Sequence, residues 1–279
     1  MGGVLDPQGP IGAAERLILI NATVVMLAVI VPVIVLTLGF AWWFRAGNTR
    51  ARHMPDWEYS GPVELVVWSI PALIVVFLGG MVWISSHDLD PPKPLASATA
   101  KPIEIQVVSL DWKWLFIYPE QGVASVNRLA VPTGTPLHFS ITSSGVMNSF
   151  FVPQLGSQIY TMPAMVSQLH LQADHEGSYR GLSAQFSGAG FADMRFEVRA
   201  VAPDAYAKWI ADAKAAGGAT LDMASYAELA KPSENVKPST YGAVEPKLFD
   251  AIVSQTAPGA PHRMEAPGGQ DAPPQGKGG

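Results

Sequence analysis

The fold is decided by an uncharged run at residues 17–44, which reads LILINATVVMLAVIVPVIVLTLGFAWWF between Arg16 and Arg45. About 20 consecutive apolar residues are enough to cross the hydrocarbon core of a bilayer as a helix. A cleaved signal peptide is a poorer interpretation, because its apolar region is only about 7–15 residues long and follows a basic start. Here Asp6 and Glu15 precede the run. The run therefore predicts a first transmembrane helix.

A second uncharged run follows Glu64 directly and extends over residues 65–86. It predicts a second span, so the two runs together predict a transmembrane hairpin. The connecting loop carries Arg45, Arg50 and Arg52, and loops rich in Lys and Arg stay in the cytoplasm. We therefore expect the N-terminus and everything after the hairpin to lie outside, in the periplasm of a bacterium.

The composition agrees with a membrane protein, because 48% of the 279 residues are hydrophobic and only 15% are charged. A net charge of -5 provides no basic face, so nucleic-acid binding is a poor hypothesis. The chain has no Cys, which excludes disulfides, thiolate metal ligands and a cysteine nucleophile.

After a proline-rich stretch at residues 91–94, the hydrophobic period changes to two. Ile103, Ile105 and Val107 alternate with polar residues, as expected for a half-buried strand. Further strand-like runs lie at residues 112–118, 126–131, 137–142, 149–152, 168–173 and 194–201. Many short strands at this spacing predict a Greek-key β-sandwich. Apolar stripes beyond it predict helices at residues 203–215, 222–230 and 245–253.

The histidines do not form an evident ligand set. His138 and His170 each lie between two apolar residues of a predicted strand, so alternation directs both away from the apolar face. We expect both to be ordinary solvent-facing residues that do not converge. His53 and His87 belong to the membrane flanks, and His262 belongs to a Pro/Gly-rich tail.

Three stretches carry a family resemblance: DWKWLFIYPEQG at residues 111–122, VMNSFFVP at 146–153 and SAQFSGAGFADM at 183–194. With the hairpin and the β domain, they make the chain resemble the subunit II family of haem-copper terminal oxidases. Within that family it is similar to the copper-free branch, the bacterial cytochrome bo-type ubiquinol oxidases. The resemblance implies a membrane-anchored all-β fold, with a two-helix hairpin, a cupredoxin-like Greek-key β-sandwich and a short helical C-terminal extension.

The expected parts of the chain follow in order. They are a periplasmic N-terminal tail (1–16), a transmembrane hairpin (17–90, with spans at about 17–44 and 64–86 and a cytoplasmic loop at 45–63), a Pro-rich linker (91–101), a periplasmic cupredoxin-like domain (102–201), a helical C-terminal extension (202–255) and a disordered tail (256–279).

The resemblance places the dinuclear copper ligands of the cytochrome c oxidase branch on six positions of this sequence: Asn148, Ser183, Gln185, Ser187, Phe191 and Met194. Only Met194 keeps the ligand type. A copper thiolate centre needs soft, deprotonated sulfur, which a serine hydroxyl does not supply near neutral pH. Phe191 has no lone pair to coordinate a metal. We therefore predict that this chain binds no copper and no other cofactor of its own.

The family resemblance implies a subunit of a proton-pumping ubiquinol oxidase in the bacterial inner membrane. Haems and copper are expected in subunit I, which reduces dioxygen with electrons from ubiquinol. The implied partners are subunit I, the smaller membrane subunits and the lipid bilayer, without cytochrome c. Two alternatives remain: a cytochrome c oxidase subunit II, and a free-standing membrane-anchored cupredoxin-like binding protein.

Four more residues have implied or alternative roles. Glu64 resembles a glutamate at the entrance of a proton pathway; alternatively, it is a solvated carboxylate that favours a helix N-terminus. Trp112 and Trp114 resemble the family's aromatic pair, and we expect them to pack and to contact the haem subunit. Lys113 replaces a neutral residue of the copper-containing relatives, which suits the loss of a docking surface for a basic cytochrome.

Overall fold

The computed structural model describes residues 3–52, 54–95, 100–215 and 219–258. His53, His262 and the expected tail from residue 259 onward lie outside these ranges. Two long helices come first: α1 spans Pro10–Trp43 and α2 spans Gly61–Asp88. Each is long and apolar enough to cross a membrane. At 1.5 Å per residue, the 34 residues of α1 extend about 50 Å, more than a bilayer core requires.

Both helices begin with a proline in their first turn, where the missing N–H costs no helical hydrogen bond. Their apolar side chains are exposed along the spans, and no residue of α2 is buried. Such all-round apolar surfaces need lipid or other protein to cover them. The hairpin predicted from the two uncharged runs is confirmed.

The β domain follows at residues 103–201. Its strands are β1 (Ile103–Leu110), β2 (Lys113–Tyr118), β3 (Val123–Val126), β4 (Arg128–Pro132), β5 (Pro136–Ser143), β6 (Asn148–Phe151), β7 (Ile159–Thr161), β8 (Ser167–Gln172), β9 (Gly177–Ser183) and β10 (Arg195–Val201). A short 3-10 helix, Ala189–Asp193, lies between β9 and β10. The C-terminal extension contains α3 (Pro203–Ala215), β11 (Thr220–Leu221), α4 (Met223–Ala230), β12 (Ser239–Tyr241), β13 (Ala243–Val244) and α5 (Leu248–Val253).

The strands form two mixed sheets that pack face to face. One sheet has the order β12-β3-β2-β1-β5-β8 and the other has the order β4-β10-β9-β6-β7, while β11 and β13 form a separate pair. β1 pairs with β5 in parallel and β10 pairs with β4 in parallel; the other pairs within the two large sheets are antiparallel. The predicted β-sandwich is confirmed.

Two apolar clusters lie on opposite faces of the six-stranded sheet. The main core between the sheets contains Trp114, Phe116, Phe139, Phe150 and Phe196, with ring centroids of neighbouring pairs 5.1–5.6 Å apart. The outer face of β1 to β3 is covered by the C-terminal extension, which contributes Tyr226, Leu248, Phe249 and Ile252 to the second cluster. The extension is therefore part of the fold of the β domain. Thr256 and Ala257, at the start of the expected tail, still donate backbone hydrogen bonds to Ala251 in α5.

One strand prediction was wrong, and two strands of the β domain, β7 and β9, were not predicted. The run 126–131 is not one strand, because Asn127 adopts a positive φ of 53° and the chain crosses there from β3 in one sheet to β4 in the other. Strand β9 was missed because its inward positions include Gly181 and Ser183, which give no apolar alternation. A Cβ at Gly181 would lie 2.1 Å from ring atoms of Phe196, so the strand needs a glycine there.

The hairpin is attached to the β domain at two places. The backbone N–H groups of Gln8 and Gly12 donate to the carbonyls of Gln154 (2.7 Å) and Leu155 (3.0 Å). The carboxylate of Glu15 accepts from the Ser157 N–H at 3.0 Å. After α2, the Pro91 carbonyl accepts the backbone N–H of His170 in β8 at 3.1 Å. Both outer helix ends therefore contact the same side of the β domain.

Candidate functional site

The six positions of the copper-ligand pattern lie at the ends of three strands and in the loop that joins two of them. β6 begins at Asn148, β9 ends at Ser183 and β10 begins one residue after Met194. The loop that joins β9 to β10 is closed at its base by two backbone bonds. Ser183 N–H donates to the Met194 carbonyl at 3.1 Å, and Ala184 N–H donates to the Ser149 carbonyl at 3.0 Å.

Hydrogen bonds among the replacement residues fill the centre of this site. The Ser183 hydroxyl lies 3.1 Å from the Asn148 Oδ1 and 3.2 Å from the Gln185 carbonyl. The Ser187 hydroxyl is directed at the Met194 sulfur at 3.8 Å. Ser183, Asn148 and Met194 are buried, so their polar atoms have partners inside the protein.

The side chains at this site do not fit a dinuclear copper centre. They offer two hydroxyls, two amides and one thioether, whereas a copper thiolate centre needs thiolates and imidazoles. Phe191 lies in the 3-10 helix and packs edge-on against Phe186, with ring centroids 5.6 Å apart. Across the described residues, no group of three or more His, Cys, Asp or Glu side chains is placed to hold a metal ion.

The aromatic pair divides into one residue at the site and one in the core. The Trp112 Nε1 donates to the Ser187 carbonyl at 2.8 Å, so this half-buried indole lies on the loop. Trp114 is 0% exposed and packs between Phe150 and Phe196. The prediction that Trp114 contacts another subunit was therefore wrong, because the β-sandwich itself covers this side chain completely.

The interpretation that the charge of Lys113 suits the loss of a docking surface for a basic cytochrome requires an exposed side chain. It was wrong, because Lys113 is 1% exposed. Its ammonium donates to the carbonyls of Asp111 (3.0 Å) and Lys231 (2.8 Å) and to the Ser233 hydroxyl (2.5 Å). Burial lowers the pKa of Lys113, and the nearby Asp111 carboxylate opposes that effect. This arrangement could not be predicted from the local sequence, because Ser233 is 120 residues away along the chain.

The expectation that His138 and His170 remain apart and face solvent was wrong. Their rings stack with centroids 4.5 Å apart, because antiparallel pairing of β5 with β8 places the two residues opposite each other. Glu104 is the neighbour of His138 on β1, and its carboxylate contacts the His138 Nδ1 and accepts from the Ser140 hydroxyl at 2.6 Å. The His170 Nδ1 donates to the Pro91 carbonyl at 3.3 Å. Both side chains do point away from the main core, as alternation predicted.

Glu64 lies far from the loop site. It is exposed in the first turn of α2, in a shallow depression lined by Tyr59, Gly61, Leu65 and Trp68. The β domain follows the opposite end of this helix, about 36 Å from Glu64 at 1.5 Å per residue. The candidate proton-entry residue and the former ligand positions are therefore two separate sites.

Comparisons with known proteins agree with this arrangement. Residues 120–201 match the family model "Cytochrome C oxidase subunit II, periplasmic domain", and residues 215–259 match "COX Aromatic Rich Motif". The chain is 51% identical over 268 residues to cytochrome bo(3) ubiquinol oxidase subunit 2 of Pseudomonas aeruginosa, covering 94% of this chain and 80% of that protein. It is 49% identical over 254 residues to ubiquinol oxidase subunit 2 of Acetobacter aceti, covering 90% and 82%.

A solved structure of the periplasmic domain of cytochrome oxidase subunit II from Bradyrhizobium japonicum also aligns with the chain. It has a TM-score of 0.40 and 23% identity, and covers 42% of this chain and 97% of that domain. That likeness is too low to support a functional argument. The two ubiquinol oxidase subunits are similar over most of their own length, and their similarity includes the hairpin, the β domain and the extension. The chain therefore belongs to the family of ubiquinol oxidase subunit 2.

Proposed function

We propose that this chain is the copper-free subunit of a quinol-oxidising terminal oxidase and that it supports a haem-bearing subunit I without carrying a redox centre. The observation that supports this proposal best is the replacement of five of the six ligand positions, with Ser183 hydrogen-bonded to Asn148 and the Ser187 hydroxyl directed at the Met194 sulfur. Because Asn148 and Ser183 bond to each other, the site is a packed polar cluster and not a ligand set that lacks a single residue.

Without a copper centre, this chain has no acceptor for electrons from a soluble cytochrome. The electron donor of the complex is then a membrane quinol, in keeping with the names of the similar proteins. Ubiquinol would be oxidised in subunit I, where haems and copper pass its electrons to dioxygen. The hairpin would lie in the bacterial inner membrane and the β domain would lie in the periplasm, with the arginine-bearing loop in the cytoplasm.

Five exposed apolar side chains lie in three loops of the β domain, just before β6, just before β8 and between β9 and β10. We call them the apolar end: Val146, Met147, Met165, Val166 and Phe186. Phe186 is 72% exposed. Exposed apolar surface of this kind suits contact with another subunit. The apolar end and half-buried Trp112 would contact subunit I, while the apolar faces of α1 and α2 would contact its transmembrane helices.

Glu64 is proposed as the entry point for cytoplasmic protons. Its exposed carboxylate lies in the first turn of α2, on the side of the hairpin that carries the arginine-bearing loop. In a Glu64→Gln variant, quinol-driven proton uptake should slow while the complex still assembles. The matched control is Glu58→Gln, in the loop that precedes α2. Turnover and proton uptake equal to those of the unaltered complex would exclude this role.

The function is tested by purifying the tagged full-length chain in mild detergent. We expect haem absorption bands and quinol-dependent oxygen uptake to co-elute with it, and no oxidation of added reduced cytochrome c. Elution without haem would favour the free-standing binding protein. Rapid cytochrome c oxidation together with bound copper in this chain would favour the cytochrome c oxidase alternative.

A further inference from the structure

The β9–β10 loop, residues 184–193, is ordered although its sequence favours disorder. It is rich in alanine and glycine, and Gly188 adopts a positive φ of 112°. Ordering such a segment costs much backbone entropy. The base of the loop is closed by the bonds of Ser183 and Ala184, and within the loop the Phe191 N–H donates to the Gly188 carbonyl at 3.2 Å. None of these bonds joins residues 187–190 to another element of the fold, so a further contact is needed to hold them against the domain.

Trp112 supplies that contact. Its Nε1 donates to the Ser187 carbonyl at 2.8 Å. A Cβ at Gly190 would lie 2.6 Å from the indole ring, and a Cβ at Gly188 would lie 3.0 Å from it. The backbone of both glycines therefore lies directly against the ring. The middle of the loop therefore packs on this side chain, and we expect its conformation to depend on the position of Trp112.

Trp112 is in turn held by the C-terminal extension. The Ser233 N–H donates to the Asp111 carbonyl at 2.9 Å, and the Ser233 carbonyl accepts the Trp112 N–H at 3.4 Å. On the other side of Trp112, the buried Lys113 ammonium donates to the Lys231 carbonyl and the Ser233 hydroxyl. Both neighbours of Trp112 are thus tied to residues 231–233.

We propose that residues 231–233 of the C-terminal extension order the β9–β10 loop, with Lys113 and Trp112 as positioning residues. A metal ion can order a loop by binding groups that are distant in sequence. Here the buried Lys113 ammonium binds residues 231–233, and the Trp112 indole binds the β9–β10 loop. This ordering is a property of the chain itself and does not depend on the proposed quinol oxidase function.

The test is hydrogen exchange, measured by mass spectrometry on the full-length protein in detergent. Lys113→Met keeps the aliphatic stem and removes the three donated hydrogen bonds. We expect amides of residues 185–192 to exchange at least about tenfold faster, because a tenfold change corresponds to the net contribution of roughly one of these hydrogen bonds. Lys208→Met, which alters an exposed lysine on α3, is the matched control and should leave the loop unchanged.

A second variant tests the direction of the coupling. Trp112→Phe removes the indole N–H, so exchange of the loop should increase while residues 231–236 stay protected. Amides of β8 report global unfolding. If they also exchange faster in Lys113→Met, that variant is replaced by Ser233→Ala, in which residues 185–192 should again exchange faster while β8 stays protected. The proposal is overturned if residues 231–236 exchange faster while the β9–β10 loop keeps its protection.

Discussion

Replacing Gly9 with alanine should loosen the attachment of α1 to the β domain. A Cβ at Gly9 would lie 2.0 Å from the Gln172 carbonyl oxygen, so the two backbones would have to separate by about 1 Å or more. Gly9 has an extended φ of -157°, which alanine also adopts, so the cost is entirely steric. Separation would break the bonds from Gln8 N–H to the Gln154 carbonyl (2.7 Å) and from Asp174 N–H to the Gln8 carbonyl (2.8 Å). At about 0.5–1.5 kcal/mol each, their loss costs about 1–3 kcal/mol.

The assay is amide exchange at residues 8–12 and 154–157 in the full-length protein. A loss of about 1–3 kcal/mol corresponds to exchange that is roughly 5- to 150-fold faster at these amides. Gly3→Ala is the control from the same tail, because a Cβ at Gly3 has no heavy atom within 4 Å. Exchange in Gly9→Ala within about twofold of the unaltered protein would refute the steric reasoning.

Three further changes test the β domain. Gly181→Ala should lower the melting temperature, because the added Cβ would overlap the buried Phe196 ring. Overpacking of this kind costs about 1–3 kcal/mol of folding free energy. An unchanged melting curve would contradict this prediction. Tyr118→Phe should cost about 1–3 kcal/mol, because the Tyr118 hydroxyl both donates to the Ala130 carbonyl and accepts its N–H, each at 2.9 Å. Its calorimetric melting temperature should fall by several degrees, and no fall would show that water replaces the hydroxyl. Burial lowers the pKa of His170, so the unfolded chain takes up a proton that the folded chain resists, and the melting temperature should fall as the pH drops below about 6.5. A His170→Gln variant should show a weaker pH dependence, and an identical pH profile would contradict this assignment.

The sequence predicted those parts of the fold whose signals are local. The uncharged runs around Pro32 and Pro71 identified both membrane helices, and alternation from Ile103 identified the first strand. Strand β9 was not predicted, because its Gly181 is required by the Phe196 ring of the neighbouring strand β10 and not by any local pattern. The break between β3 and β4 at Asn127 was not predicted, because a positive φ at a single asparagine leaves the apolar pattern on either side intact.

The family resemblance assigned Ser183 and Met194 to one copper-ligand pattern, and the chemistry of their side chains argued against copper thiolate coordination. The burial of Lys113 could not be predicted from its neighbours in sequence, because two of its three hydrogen-bond partners, Lys231 and Ser233, lie beyond α4. The stacking of His138 on His170 needed the register of β5 against β8, which neither strand encodes by itself. Each missed feature depends on contacts between residues that are distant in sequence.

The attachment of both helices to one region of the β domain has a mechanical consequence for the hairpin. Strand β8 binds the end of α2 through the Pro91 carbonyl, and Asp174, just beyond β8, binds the tail before α1. Relative motion of α1 and α2 then has its pivot at this end, and its amplitude grows with distance along the helices. Glu64 lies at the far end of that lever arm, so a tilt of about 5° at the pivot displaces Glu64 by about 3 Å over a helix length of about 36 Å.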